Sequence, residues 1–498
     1  MTKPLFLVVL FVSLSAMVSM GQTKPVVADT ITDYYEVQTI PMPAGLTAET
    51  GAMAFLPDGR LIACFHRGEV MMYTPKTKTW KLFAEGLHDP LGILVISNRE
   101  LLIMQRPELT RLKDTDGDGV ADVYETVTDQ FGLSGNYHEF AFGPVRDKQG
   151  NLYIGLNAAS SGAGIRDELR GRYEPLGRQG KMYSCVPYRG WIMRLTPDGK
   201  LLPFACGFRS PNGMFIDAKD RLFVTDNQGD WLGTSKLYHV EQGKFYGHPP
   251  SLVWKEGFPD VDPTTLPPAT LDSMRVREMI AFPHQRLAHS PTQIVVDNTG
   301  GRFGPFAGQM LVGEMDFSRL LRILPDEVNG QLQGAAIPFF DNAGLRKGNN
   351  RLVFAPDGSL WLGQTDHGWA GDRGIQRLVY KGGTLLDVMA MHLTPTGFEL
   401  TFTQPLDEAS AKALTNYQFR RFYYKYHASY GSPETDSQPV PVTAVTLSPD
   451  RKSVSLTLNE LKPNHVYELM LGDLRSAGKR ICNRMLYYTL NQLKQKPQ

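Results

Sequence analysis

The sequence predicts an all-β protein, a six-bladed β-propeller followed by a small Ig-like β-sandwich. Three observations carry that expectation. A unit of apolar run, turn cluster and second apolar run recurs six times between residues 51 and 383, the signature of a repeat architecture built from hairpins. The 48 glycines and 34 prolines among 498 residues suit a chain of many tight turns. Beyond Gly383 the repeat stops, and short alternating strands with turn punctuation take over.

The sharpest copy of the unit is Met214-Phe215-Ile216, the turn Asp217 to Asp220, and Leu222-Phe223-Val224. Other copies begin at Met53-Ala54-Phe55, Ile93-Leu94-Val95, Phe140-Ala141-Phe142, Ile294-Val295-Val296 and Leu352-Val353-Phe354. An extended segment from Asp33 to Ile40 is expected to close the ring. The division that follows is a signal peptide at 1–21, a propeller at 22–383, a β-sandwich at 384–491 and a tail at 492–498. Within the sandwich the expected strands are Leu386 to Leu393, Phe398 to Phe402, Val442 to Leu447, Val454 to Leu458 and Val466 to Leu471, with a helical turn from Asp407 and a polar loop from Ser429 to Gln438.

Pairing the two runs of a unit brings the residues before the first strand and those after the second to one edge. In the sharpest copy those residues are Arg209, Ser210 and Asn212 on one side and Asp226, Asn227 and Asp230 on the other. Polar groups recur at the equivalent ends elsewhere: His138 and Glu139, His289 and Ser290 with Glu314 and Asp316, and Arg346, Asn350 and Arg351 with Asp366 and His367. Such recurrence points to a site at one end of the central channel. A single histidine is more often structural than catalytic, but His138 stands at the site-forming end of its unit.

Lys3, the apolar run Leu5 to Val18 and the small residues Ser19 and Gly21 read as a secretory signal cut before Gln22, so the mature chain is expected to be secreted or periplasmic. That run is too short to span a bilayer. Lys and Arg number 52 against 51 Asp and Glu, which leaves no field to attract nucleic acid. Cys64, Cys185, Cys206 and Cys482 allow three full pairings; Cys185 and Cys206 flank one hairpin and are the first candidates for a bridge, with buried thiols as the alternative. Neither Cys-x-x-Cys nor Cys-x-x-Cys-His occurs, which excludes a zinc ribbon and attached c-type haem.

The second unit carries Asp114-Thr-Asp116-Gly-Asp118-Gly119-Val120-Ala-Asp122-Val-Tyr-Glu125. Counted from Asp114, oxygen ligands fall at positions 3, 5, 9 and 12, a carbonyl from Val120 at 7 and a glycine at 6, the pattern of a twelve-residue Ca²⁺ loop. With no amphipathic helices beside it, the loop is expected to bind Ca²⁺ as a structural clip. The alternative is a solvated acidic turn.

HEFAFGP with QGNLYIGLN, GFRSPNGMFIDAKDRLFVTDN, GKFYGHP and NRLVFAPDGSLWLGQTD resemble successive segments of the soluble quinoprotein glucose/sorbosone dehydrogenase-like propellers, over about residues 50 to 382. The propeller with a β-sandwich looks still more like modules of large secreted bacterial proteins. The resemblance implies pyrroloquinoline quinone (PQQ) across the channel, a Ca²⁺ on its reactive carbonyl near the Asp226-to-Gly229 loop, and oxidation of a sugar or related alcohol. It implies His138 as base, with Arg209 acting on the developing charge, and Arg209, Ser210, Asn212, Arg346 and Arg351 as cofactor-binding residues. Electrons would pass to a separate acceptor. Two other classes stay open: a non-catalytic module binding carbohydrate or protein, and a metal-dependent lactone hydrolase in which Glu139, Asp226 or Asp316 holds the cation.

Overall fold

The computed structural model describes residues 30–166, 169–367 and 371–495. The expected signal segment 1–21, its cut before Gln22 and the end of the tail lie outside the described residues. Among the described residues no helix is long and apolar enough to cross a membrane.

Residues 35–380 form six antiparallel sheets, each opening on one of the six hairpins read from the sequence. Sheet 1 is Thr50–Phe55, Leu61–Phe65, Val70–Thr74 and Thr79–Ala84; sheet 2 is Gly92–Val95, Glu100–Met104, Leu109–Lys113 and Val123–Thr128. Sheet 3 is Ala141–Arg146, Leu152–Leu156, Trp191–Leu195 and Leu201–Cys206; sheet 4 is Pro211–Ile216, Leu222–Asp226, Ser235–Val240 and Ile280–Phe282. Sheet 5 opens with Pro291–Val296, Met310–Glu314, Leu320–Val328 and Gln331–Phe339. Sheet 6 is Asn349–Phe354, Leu360–Gln364 and Gly374–Tyr380, and its fourth strand is the N-terminal Tyr35–Ile40, paired from Tyr35↔Tyr380 to Ile40↔Ile375. The segment expected to close the ring therefore ties the start of the described chain to the last sheet.

The first strands of the six sheets pack in succession, and that of sheet 6 packs back against that of sheet 1. Crowding there selects glycine: a Cβ on Gly92 would fall 1.3 Å from the Gly143 carbonyl oxygen, and one on Gly213 would fall 1.9 Å from that of Thr292. A bulge interrupts the first hairpin of sheets 1, 3, 4, 5 and 6, in all but sheet 3 directly after its first residue. Bulges re-aim side chains, and these turn Asn212 and Asn350 toward the channel.

The C-terminal region is built onto sheet 5. Met485–Leu490 pairs with Gln331–Phe339 (Gly334↔Thr489 to Ala336↔Tyr487), and His465–Leu471, Tyr417–Tyr424 and Glu434–Val440 extend the same sheet to eight strands. Val388–Thr394, Gly397–Phe402, Ser453–Leu458 and Val442–Leu447 form the facing layer. Both layers share one core in which Phe398 stacks on Phe419 at 5.5 Å and Leu324 and Ile337 of sheet 5 take part. A fully buried ion pair, Arg322 to Asp387 at 3.0 Å, pins the junction. The five strands expected from the sequence are present within two residues. Tyr417–Tyr424 and Met485–Leu490 were not expected, and part of the expected polar loop is the edge strand Glu434–Val440, in which Ser437 and Gln438 are exposed and Glu434 pairs with Arg286 and Arg420.

One cysteine expectation is corrected. Cys185 and Cys206 form no bridge: Cys185 packs with Ala159 and Tyr183, Cys206 lies in the separate core of sheet 3, and Cys64 is likewise a buried free thiol. A chain with cores this large does not need the link for stability.

Candidate functional site in the central channel

A cavity of about 240 Å³ opens where the six sheets bring their hairpin ends together. Its wall has a positional rule. The residue that follows the second strand faces it in sheet 1 (His66), sheet 3 (Asn157), sheet 4 (Asn227), sheet 5 (Met315) and sheet 6 (Thr365), and in sheet 2 the next residue along, Arg106, does so. Residues just before or at the start of first strands complete it: His138, Arg209, Ser210, Asn212, Ser290 and Asn350. Phe140 and Phe142 supply an aromatic side.

The hairpin ends are pinned by one device used twice. Asp226 closes the second strand of sheet 4, and its carboxylate accepts the backbone N–H groups of Arg209 (2.9 Å), Ser210 (2.6 Å) and Asn227 (2.9 Å). Glu314 does the same one sheet on, accepting from His289 (2.8 Å), Ser290 (2.9 Å) and Phe317. Three backbone donors on each carboxylate tie Asp226 and Glu314 to the hairpin ends. Asp316 is also engaged, at 2.9 Å from His289 Nδ1, and Glu139 accepts both the N–H and the hydroxyl of Ser134 at 2.7 Å.

His138 sits on a turn fixed by Asn136, whose amide oxygen accepts the His138 and Ser160 N–H groups at 3.1 and 3.0 Å. Its Nδ1 lies 2.7 Å from the Ala158 carbonyl oxygen, so Nδ1 carries the proton and the Nε2 lone pair is available to the cavity. Burial, and after it the Arg209 charge, push its pKa down to about 3, which keeps the ring neutral near pH 7. Ala158 also donates its N–H to the Arg209 carbonyl oxygen at 3.0 Å, so base and cation are positioned by one short backbone link.

Arg209 is 8% exposed and its Nε has no partner among the described residues; Nη2 lies 3.4 Å from the Tyr430 hydroxyl. Asn157 Oδ1 and Asn227 Oδ1 are likewise buried with no partner among the described residues. The C-terminal region braces this wall, since Gly431 donates to the Gly229 carbonyl at 2.9 Å and Trp231 to that of His427 at 3.0 Å.

Arg351, expected to hold the cofactor, instead seals the floor. Its Nε donates to the Gly51 carbonyl (2.6 Å), Nη2 to that of Leu91 (2.8 Å), and Nη1 to Asn212 Oδ1 (2.7 Å) and the Asn350 carbonyl (2.8 Å). Below it a second cavity of about 80 Å³ shares the Leu91 and Asn212 walls. Burial lowers the Arg351 pKa to about 9, and it stays cationic at neutral pH. Arg346 is not at the cavity; it donates outward to the Arg373 carbonyl at 2.8 Å. His138, Arg209, Ser210 and Asn212 are thus brought together at the cavity, while Arg346 and Arg351 are not among the residues that line it.

Three groups near the cavity were missed: His66, Asp89 and Arg106. Arg106 donates to Asp89 Oδ2 through Nε (3.0 Å) and Nη2 (2.6 Å) and lies over the Phe140 ring at 4.4 Å. Burial works to raise the Asp89 pKa, but the contacts to His66 and Arg106 outweigh it and hold the carboxyl well below its ordinary range. The positional rule would have found His66 and Arg106 once the strand ends were known.

In the acidic loop, Asp114, Asp116 and Asp122 bring one carboxylate oxygen each within 4.8 Å of the others. Asp114 accepts the N–H groups of Gly117 (2.6 Å) and Gly119 (3.0 Å), and Asp122 that of Thr115 (2.7 Å). Asp118 instead accepts the Val120 N–H at 2.7 Å, and Glu125 turns to Arg111 (3.3 Å) and Lys113 (3.8 Å). Asp118 and Glu125 are not part of the three-carboxylate group, and Glu125 lies in the strand Val123–Thr128, paired with Arg111.

Residues 76–302 match a family model described as a domain of unknown function (DUF7133). No curated protein matches. Solved structures with a similar course include a putative oxidoreductase (glucose dehydrogenase) from Thermus thermophilus, 18% identical over 69% of this chain and 100% of that one, with a TM-score of 0.48. The PQQ-bound aldose sugar dehydrogenase of Streptomyces coelicolor is 18% identical over 69% of this chain and 98% of its own, at 0.46. A gluconolactonase from Xanthomonas campestris is 14% identical over 70% and 90%, at 0.41.

Proposed function

We propose that the chain is a secreted or periplasmic six-bladed propeller with an Ig-like C-terminal domain, and that its channel binds an anionic quinone and oxidises a sugar or related alcohol. The observation that carries this reading is the chemistry of the wall: two arginines, three histidines and several amides, with no carboxylate among its described residues. Buried donors and acceptors left without partners on that wall, Arg209 Nε with Asn157 and Asn227 Oδ1, are what a polar ligand would satisfy.

A tricarboxylate quinone fits these residues. Arg209 would meet a carboxylate, Asn157 and Asn227 would complete hydrogen bonds at its edge, and Phe140 and Phe142 would cover an apolar face. When bound, the quinone would supply the two-electron acceptor. The chain's own part is to present the neutral His138 Nε2 as base for the hydroxyl proton and to keep the Arg209 charge beside the reacting oxygen. A Ca²⁺ within the channel does not fit, since no carboxylate is among the described residues of the wall, and no step is derived through one. The acidic loop remains a proposed structural Ca²⁺ site, with Asp114, Asp116 and Asp122 at its centre.

A lactone hydrolase of the hard-cation kind needs several carboxylates converging in the cavity and is the weaker reading on that ground. The test is titration of the purified protein with PQQ and dye reduction over a panel of aldoses. Micromolar binding and turnover are expected, and no binding at that concentration contradicts the reading.

A further inference from the structure

A small polar cavity of about 30 Å³ lies where the C-terminal region docks on sheet 4. It shares no lining residue with the channel cavity, and nothing said of it depends on the quinone reading. Sheet 4 and the residues beside it contribute Lys236, Arg275, Arg277 and Glu278, and the C-terminal side contributes Lys425 and Thr489.

The charges here do not balance. Glu278 Oε2 is shared by Lys236 Nζ at 3.2 Å and Arg275 Nη1 at 3.1 Å, while Asp272 is shared by Arg275 Nε at 2.7 Å and Arg277 Nη2 at 2.9 Å. Three cations thus meet two carboxylates, which leaves one positive charge over before Lys425 is counted. Water outside does little to offset it, since the Lys236 and Arg275 side chains are 4% and 3% exposed. Burial outweighs the Glu278 contact and pushes the Lys236 pKa down to about 8, which leaves the ammonium charged at neutral pH and poorly compensated.

The hydrogen bonds do not balance either. An ammonium offers three N–H groups, and among the described residues Lys236 Nζ has one acceptor, Glu278. The buried Thr489 hydroxyl oxygen accepts the Ala281 N–H at 2.8 Å, and its own proton has no acceptor among the described residues. Ala281 is also the cross-strand partner of Lys236, so both side chains with spare donors start beside one residue. A water would accept those protons and leave the charge. A monoanion answers both.

We infer that this cavity binds one small inorganic anion, of which chloride is the type, at Lys236 and Thr489. A water needs about 10–15 Å³ of such space, so the cavity suits a single ion and excludes a sugar or a phosphate ester. Its walls come from sheet 4 and from the strands Tyr417–Tyr424, His465–Leu471 and Met485–Leu490. The anion would therefore join the two regions by charge, beside the chain segment that runs on to Tyr430 and the Arg209 wall.

The experiment uses the full chain. Crystals grown in sodium bromide and measured at the bromine absorption edge are expected to show an anomalous peak beside Lys236 Nζ, whereas a cavity holding only water gives none and overturns the site. In solution the ³⁵Cl linewidth is followed against chloride at constant ionic strength, with gluconate as the replacing anion because it is too large to enter. Saturable broadening is expected. Lys236→Met, which leaves Glu278 on Arg275, should weaken it at least about tenfold, and Arg277→Gln, which removes the surplus charge at a side chain 39% exposed, at least about threefold. Wild-type affinity in Lys236→Met, or in Arg277→Gln if the first variant does not fold, overturns the inference. Arg209→Met separates the channel from the junction: broadening that survives it supports the junction site, and broadening that it alone removes contradicts that site.

Discussion

Arg351 and Arg209 both come from the entrances of first strands and both point into the channel, yet they end in opposite states. Arg351 has its three guanidinium nitrogens on oxygens contributed by sheets 1, 2, 4 and 6 or their entrances, whereas Arg209 keeps Nε without a partner and has Nη2 3.4 Å from a single hydroxyl. Arg209 lies two residues before the first strand of sheet 4 and Arg351 is the third residue of that of sheet 6, so their positions in the repeat differ, and so does the accounting of their donors. A buried cation whose hydrogen bonds are complete holds the fold, and one whose bonds are incomplete is held by the fold for something else.

The comparison breaks most readily at Arg351. Arg351→Met leaves the Gly51 and Leu91 carbonyls and the Asn212 amide without their donor, and is expected to cost about 3–5 kcal/mol in denaturant unfolding. A loss under about 1 kcal/mol would show the floor to be unimportant. His138→Ala should lower turnover at least about 100-fold while leaving quinone affinity within about threefold, since the ring acts as base rather than anchor. The same ring gives the pH dependence a sign. With its pKa lowered from 6.5 to about 3 in the folded state, the unfolded chain binds the proton first on acidification. Its contribution to stability is therefore present above pH 6.5 and is lost as pH falls toward 3, with a slope of at most about 1.4 kcal/mol per pH unit that His138→Asn removes.

Smaller effects sharpen the same contrast. Tyr430→Phe removes only the weak partner of Arg209 and should change stability by less than about 1 kcal/mol. In the acidic loop, Asp114→Asn should abolish the calcium-dependent rise in melting temperature, whereas Glu125→Ala should leave most of it, because Glu125 is paired with Arg111 and Lys113. Equal responses of the two variants would return Glu125 to the ligand set.

The hairpins, the closing strand Tyr35–Ile40 and most C-terminal strands were legible because period-two apolar runs and turn clusters are local signals. The joining of the C-terminal region to sheet 5 was not, because the pairing of Gln331–Phe339 with Met485–Leu490 spans about 150 residues and leaves no local mark. His138, Arg209, Ser210 and Asn212 were found at the cavity because they stand at strand entrances. Arg351 stands in the first strand of sheet 6, and its hydrogen bonds to the Gly51 and Leu91 carbonyls, about 300 and 260 residues away, left no local mark in the sequence. The His66, Asp89 and His367 cluster was invisible for the same reason: its members meet only when sheet 6 closes on sheet 1.

The most direct measurement is the PQQ dissociation constant of wild type, Arg209→Met and Arg351→Met proteins under conditions where circular dichroism shows each to be folded. Loss of one charged hydrogen-bond partner predicts that Arg209→Met binds about 10- to 100-fold more weakly with stability within about 1 kcal/mol of wild type, while Arg351→Met is strongly destabilised but, once folded, binds within about threefold. Wild-type affinity in Arg209→Met, or no quinone binding by the wild-type protein, would contradict the account.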